Sequence, residues 1–301
     1  MNNQPGDCIQ EVSESDTATS YPVTRRVFEG RTTVGTDTII ADSPVYGRML
    51  FLDGELQSAT ADEHIYHETL VHPAMGLAMA SLGAAVRRVL VVGGGEGATV
   101  REVLRWPDVQ HVDWVDYDRD LVLLCEEYLG WAPSVRDDPR VRYRAADIGE
   151  AWPALADMYD VIVLDLPDPD GETGYLYSEQ FWEDVKLHLC PSGYLVTHCG
   201  PVRPFGCIGE GFLRVRTALG DQMDGFYAMN VPSFQSDWGF WLWRCGGGPG
   251  ISPFEATLGR LNVACPMGLR VADGAQIRTW AERPRVWRTA IAAFLGSCLG
   301  S

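Results

Sequence analysis

Val89-Leu90-Val91-Val92-Gly93-Gly94-Gly95-Glu96-Gly97-Ala98 is a short apolar run that stops abruptly at glycine. Four β-prone residues have the length of a buried strand. Glycines at its end let backbone N–H groups approach a ligand closely, and a helix starting at Ala98 adds the positive potential of its N-terminus. Gly93, Gly95 and Ala98 satisfy the spacing G-x-G-x-x-[GA]. Asp116 follows about 20 residues later, where a ribose-binding acid stands in dehydrogenases and adenosyl-group transferases alike. The loop therefore points to a nucleoside site and leaves the nucleoside open.

Downstream of this loop, apolar or β-branched runs at 112–115, 141–144, 161–164 and 194–197 alternate with helical patterns at 98–104, 121–129 and 178–189. Such alternation predicts a parallel, doubly wound α/β sheet. Residues 226–231 and 239–243 read as two more strands, pairing antiparallel at one edge, and the tail from 253 onward, with Trp280, Trp287 and Phe294, reads as helical. Upstream, 62–86 suggests one or two helices. Three β-prone pieces at 23–28, 32–41 and 48–52, broken at Gly30, Gly35, Pro44 and Gly47, suggest a small β-hairpin domain. Residues 1–20 are polar and predict a disordered tail. The expected division is a tail at 1–20, a β-hairpin domain at 21–60 and the main domain at 61–301.

Charge narrows the class. Lys and Arg total 24 against 41 Asp and Glu, a formal net charge of -17, which excludes a phosphate-backbone partner because that needs a basic face. A polycationic small molecule fits the sign, although simple solubility explains it equally well. The eight cysteines are scattered, without C-x-x-C or paired-His spacing, so reduced thiols and no metal are expected. The N-terminus lacks a basic flank and an apolar core, and no apolar run approaches the roughly 18 residues of a membrane span. A cytoplasmic protein without a membrane partner is the expectation.

The acids carry the chemistry. Asp147 ends the third strand, where a carboxylate can accept from an adenine amino group. Glu96 lies inside the glycine loop, where it would repel a diphosphate and argues against NAD. For a sulfonium ligand bearing a primary ammonium, the same acid is a natural counter-ion. Asp165-Leu166-Pro167-Asp168-Pro169 follows the fourth strand, so both of its acids emerge at the rim that carries the loop. An alkylamine is protonated at neutral pH, with a pKa of about 10.4, and must lose a proton before it can attack. Carboxylates can bind the ammonium and take that proton, although an Asp-Pro turn can also be a plain solvated loop.

Leu52-Asp53-Gly54-Glu55-Leu56-Gln57, Asp62-Glu63-His64-Ile65-Tyr66-His67-Glu68 with Val71-His72-Pro73, Gly93 to Gly97, Asp165 to Pro169, Leu176-Tyr177 and Val231-Pro232-Ser233-Phe234 follow one another in this order. Together they resemble the spermidine synthase and aminopropyltransferase family over about residues 23–290, most closely its thermospermine synthase type. The resemblance implies a Rossmann-like, class I methyltransferase-type doubly wound sheet with a small N-terminal β-hairpin domain, assembled as a homodimer or homotetramer. It implies transfer of the aminopropyl group of decarboxylated S-adenosylmethionine to a di- or polyamine, releasing methylthioadenosine, with no metal. It further implies that Gln57, Asp116, Asp147 and Ile148 hold the methylthioadenosine part above the Gly93 and Gly95 turn, and that Glu96 holds the aminopropyl ammonium or the polyamine. Asp165 would be the general base and Tyr66 would orient the attacking nitrogen, while His67, Asp168 and Trp238 would contact the amine.

Without the resemblance, Tyr66 reads as a packed aromatic, His67 as a surface histidine and Trp238 as core. Two departures flank the amine pocket: His198-Cys199-Gly200-Pro201 stands where relatives often have Gln, and Asp170-Gly171-Glu172 replaces a Gly-Pro pair. An amine N-methyltransferase on the same fold is the alternative reading. Glu96 argues against it, since a methyl donor keeps a carboxylate that this acid repels.

Overall fold

The structure, a computed structural model, describes residues 7–12, 18–133, 135–155, 158–167, 175–176, 178–202, 223–246 and 269–271. Part of the segment expected to be a disordered tail is ordered: β1 (Cys8–Val12) and β2 (Ala18–Pro22) pair antiparallel, with Ile9 opposite Tyr21. Those two side chains explain the difference. Both are buried against Met49, Phe51 and Leu56, and the Tyr21 hydroxyl lies 3.1 Å from the Ser233 carbonyl. One inward residue per strand suffices to dock a hairpin, yet it hardly alters a polar composition.

A four-stranded antiparallel meander follows, formed by β3 (Arg25–Arg31), β4 (Asp37–Ser43), β5 (Gly47–Leu52) and β6 (Glu55–Ala59). The sequence pieces anticipated the first three strands. The fourth is closed by Asp53-Gly54, both with positive φ (51° and 90°), the Asp-Gly pair that a tight hairpin turn favours. Then α1 (Glu63–Leu82) runs as one helix of 20 residues and ends at Gly83, with φ 63°. Pro73 lies inside it and has no N–H for the Thr69 carbonyl one turn back. The Tyr227 hydroxyl takes that place, donating to Thr69 O at 2.8 Å.

The remaining elements are β7 (Arg88–Gly93), α2 (Ala98–Leu104), β8 (His111–Asp116), α3 (Arg119–Tyr128), β9 (Val141–Ala145), α4 (Ile148–Ala151), β10 (Tyr159–Asp165), α5 (Glu179–Leu187), β11 (Leu189–Pro201), β12 (Met223–Val231) and β13 (Ser236–Arg244). They build a seven-stranded sheet in the order β12-β13-β11-β10-β7-β8-β9. Strands β7 to β11 are mutually parallel, and β12 and β13 close one edge antiparallel. This is the expected Rossmann-like α/β sheet beside an N-terminal antiparallel β-domain. Of the tail expected to be helical from 253, residues 269–271 are described and are not helical; the rest lies outside the described residues.

Both faces of the sheet are dry. Val89, Val91, Val161 and Val163 pack with α1 and α2, while Leu90, Val92, Ile162 and Leu164 pack with α4 and α5. Coverage on both faces is why these strands read as unbroken apolar runs. Strand order reverses between β7 and β10, so the ends of these two strands lie side by side, with Asp165 paired to Gly93. Ligands of open α/β sheets bind outside such a switch point.

Candidate active site

The turn after β7 is built around Asp165. Gly94 N–H donates to the Asp165 carbonyl at 3.0 Å. A Cβ on Gly93, whose φ is 78°, would stand 2.1 Å from that same carbonyl oxygen, so the loop closes on β10 only with glycine there. The Asp165 carboxylate is held at both oxygens: the Tyr66 hydroxyl donates to Oδ1 at 2.7 Å and the Thr99 hydroxyl to Oδ2 at 2.5 Å. Three elements meet on it, with α1 supplying Tyr66, the first turn of α2 supplying Thr99, and β10 the acid itself. Two donors fix its direction.

Glu96 sits in the loop with Oε2 buried and unpartnered among the described residues. Burial raises its pKa to about 7; the His67 charge and the Ser58 hydroxyl work against that rise, and the charges of Asp165 and Glu63 add to it. Asp116, at the end of β8, is also carried to about 7, chiefly by burial, although the Asp118 N–H donates to it at 2.9 Å. A site whose acids are pushed toward neutrality is one that a cation would relieve.

His67 is not the surface histidine that its helix alone suggests. Its side chain is 2% exposed. Nδ1 is occupied by the Glu63 carbonyl at 2.6 Å and by Glu63 Oε2 at 3.1 Å. Burial disfavours its cation, but the Glu63 bond and the charges of Glu96, Glu63 and Asp165 outweigh burial and raise the pKa to about 9. Glu63 is itself shared with Arg101 at 2.8 Å and Arg270 at 3.0 Å. Against the cost of burial, His67 and Arg101 bring its pKa down to about 2. His67 is therefore an internal cation among carboxylates.

On the other side of the glycine loop, Asp147 caps α4: Oδ1 accepts from Gly149 N–H at 2.7 Å and Oδ2 accepts from the Tyr175 hydroxyl. Ile148 is buried behind it. Gln57 lies on β6, its amide 3.5 Å from its neighbour Glu55's carbonyl. Beside Asp165 stands an aromatic wall. Tyr66 has ring centroids of His198, Phe234 and Phe240 within 6.1 Å, and Trp238 packs on Phe234 at 4.7 Å and stacks on His198 at 6.1 Å.

Asp168, and with it most of the connection from 165 to 177, lies outside the described residues. Thus Tyr66, His67, Glu96, Asp116 and Asp165 converge in one acidic cluster, and Trp238 belongs to the wall beside it. Thr99 and Tyr175 were not singled out in the sequence. Thr99 had a usable signal, since the first turn of a helix after such a loop faces the switch point; Tyr175 had none. Among the described residues, no group of three or more His, Cys, Asp or Glu could hold a metal ion, and no helix is long and apolar enough to cross a membrane.

Residues 63–203 match the family described as "Spermine/spermidine synthase domain". A protein of Aeropyrum pernix named "Polyamine aminopropyltransferase" is 34% identical over 288 residues, covering 92% of this chain and 88% of its own length. A Synechococcus protein of the same name is 39% identical over 202 residues, covering 65% of this chain. "Polyamine aminopropyltransferase 2" of Pseudomonas aeruginosa is 38% identical over 235 residues, covering 74%. The chain spans about three fifths, 63%, of the length of the latter two. Among solved structures, a spermidine synthase in complex with the transition-state analogue AdoDATO superposes with a TM-score of 0.80 at 22% identity. The spermidine synthase of Thermotoga maritima superposes at 0.78 and 21%, and each alignment covers 96% of both chains. At such identities these two establish the fold.

Proposed function

The chain belongs to the spermine/spermidine synthase family, and from that premise we propose that it moves the aminopropyl group of decarboxylated S-adenosylmethionine onto a nitrogen of a di- or polyamine. The observation that carries this reading is the Asp165 carboxylate, gripped by Tyr66 and Thr99 at the switch point and paired through the backbone to the glycine loop that bears Glu96. A base beside a nucleoside loop in an acid-rich cleft suits deprotonation of a cationic nucleophile next to a sulfonium.

In this mechanism Asp165 takes a proton from the acceptor ammonium. The freed nitrogen lone pair attacks the methylene joined to sulfur, the carbon–sulfur bond breaks onto sulfur, and neutral methylthioadenosine leaves. Tyr66 orients both the carboxylate and the attacking nitrogen. Asp116 takes the ribose and the Gln57 side chain the nucleoside; Asp147 takes the adenine amino group, exchanging the Tyr175 hydroxyl for it. Catalysis comes from alignment and from holding the amine neutral, since the sulfonium is already a good leaving group.

Glu96 gives the donor preference a pH signature. With a pKa of about 7 it is about half protonated at pH 7 in the free protein, and an ammonium placed beside it favours the ionised form. Binding the decarboxylated donor should therefore release protons, increasingly as the pH falls from about 8 to about 6.5. Titration calorimetry in buffers of different ionisation enthalpy should show that release in the wild type and its loss in Glu96→Gln. Proton uptake, or equal affinity for S-adenosylmethionine, contradicts the assignment.

The thermospermine synthase type is the finer reading. A triamine needs a longer tunnel lined with acids or aromatic faces, because each desolvated, unpaired ammonium is costly, and Trp238, Phe234 and Tyr66 supply such faces. Spermidine should serve at least as well as putrescine. Incubating the protein with either donor and a panel of putrescine, cadaverine, agmatine, spermidine and norspermidine, then identifying products by mass, tests donor and acceptor together. N-methylated products, or none, overturn the reaction; a tenfold putrescine advantage in kcat/KM overturns the triamine reading.

A further inference from the structure

His198 is the departure from the family pattern that sits inside the described site. Its ring is 6% exposed, and its two nitrogens have partners of opposite kind. Nε2 lies 2.5 Å from the Leu166 carbonyl, which can only accept, and Nδ1 lies 3.3 Å from Trp238 Nε1, which can only donate. The ring must therefore carry its proton on Nε2 and a lone pair on Nδ1. Its ring lies beside that of Trp238 with 28° between the planes, and its edge meets Tyr66 at 6.0 Å between centroids. Leu166 directly follows Asp165. One imidazole thus ties the backbone beside the base, on β10, to the indole of the aromatic wall, on β13.

We propose that His198 is the positioning residue that sets the distance between the base and the acceptor wall, and that its two nitrogens do separable work. Nε2–H fixes the Asp165–Leu166 backbone and so the rate, while Nδ1 holds the Trp238 indole and so the choice of amine. This rests on the reading of Asp165 as the base and Trp238 as part of the amine pocket.

Bond count gives the test. Asparagine places its carboxamide where Nδ1 stands, and glutamine where Nε2 stands. His198→Asn should keep an acceptor for Trp238 and lose the grip on Leu166, lowering kcat by roughly 10- to 100-fold for every amine, the scale of a misplaced reacting group, while leaving the ratio between amines unchanged. His198→Gln should keep the Leu166 bond and lose the indole, shifting the spermidine-to-putrescine ratio of kcat/KM by about 3- to 10-fold, the worth of one net hydrogen bond, and kcat by less. Trp238→Phe removes the indole N–H together with part of the ring system while keeping an aromatic face, and should shift the ratio at least as far as His198→Gln does; adding His198→Gln to it should change the ratio no further.

Two variants with one common pattern, or a Trp238→Phe that leaves the ratio unmoved, would overturn the division of labour. The same cycle between His198→Gln and Trp238→Phe, measured as unfolding free energy in urea, needs no substrate. Additive costs there remove the His198–Trp238 link whatever the reaction is, whereas coupled costs in a protein that transfers no aminopropyl group leave the link standing and overturn the functional reading instead.

Discussion

Asp165→Asn should lower kcat by about 100- to 10,000-fold, the worth of a positioned general base, while the affinity for methylthioadenosine stays within about twofold of wild type. The amide preserves the shape of the carboxylate. Tyr66 and Thr99 reach its two oxygens through hydroxyls, and a hydroxyl that donates can rotate to accept, so the site can absorb the new NH2 group. The backbone is untouched, because Gly94 N–H bonds the Asp165 main-chain carbonyl rather than its side chain. What the amide cannot do is take a proton from an ammonium. Steady-state rates with saturating amine, paired with calorimetry on methylthioadenosine, separate the two effects. A variant retaining more than a tenth of wild-type turnover would remove Asp165 from the role of base.

Among the described glycines, Gly93→Ala should be the most damaging alanine substitution, costing roughly 2–5 kcal/mol of stability from backbone strain and overpacking together. The new Cβ would fall 2.1 Å from the Asp165 carbonyl oxygen at a φ of 78°. Neither atom belongs to a flexible side chain, so β10 itself would have to move, and kcat should fall about 100-fold as the base is displaced. Gly83→Ala is the matched control. Its φ is 63°, yet a Cβ there meets nothing within 4 Å, so it carries the backbone term alone, about 1 kcal/mol. Urea unfolding of both variants isolates the contact, and costs within about 0.5 kcal/mol of one another would show that the Asp165 carbonyl imposes no constraint.

What the sequence made legible follows from how local each signal is. The helix at 98–104 coincides with α2 because glycine ends the strand and starts the helix within a few residues. The central strands were legible because burial on both faces leaves them uniformly apolar. The β1–β2 hairpin was not, since Ile9 and Tyr21 are the one buried position of each strand. The site divides in the same way. Glu96, Asp116 and Asp165 could be placed on one rim from strand order, but the state of His67 depends on Glu63, and Glu63 depends on Arg101 and Arg270, far along the chain. No pattern within α1 reveals those partners. Nor does a local pattern show that Tyr175 occupies Asp147, 28 residues away in the chain.

The pairing of Asp165 with Gly93 at the switch point also bears on how such an enzyme can be altered. The loop assigned to the donor and the carboxylate assigned to the acceptor are neighbours in a single hydrogen-bonded ribbon, with Gly94 N–H on the Asp165 carbonyl. Donor chemistry and base placement are therefore one inheritable block, which divergence must keep or lose together. The proposed acceptor wall is hung on separate strands, with Trp238 on β13, and can drift without disturbing that block as long as His198 on β11 keeps its bond to the Leu166 carbonyl. A designer seeking a new amine would hold residues 93–99, 165 and 198 constant and vary the wall around Trp238.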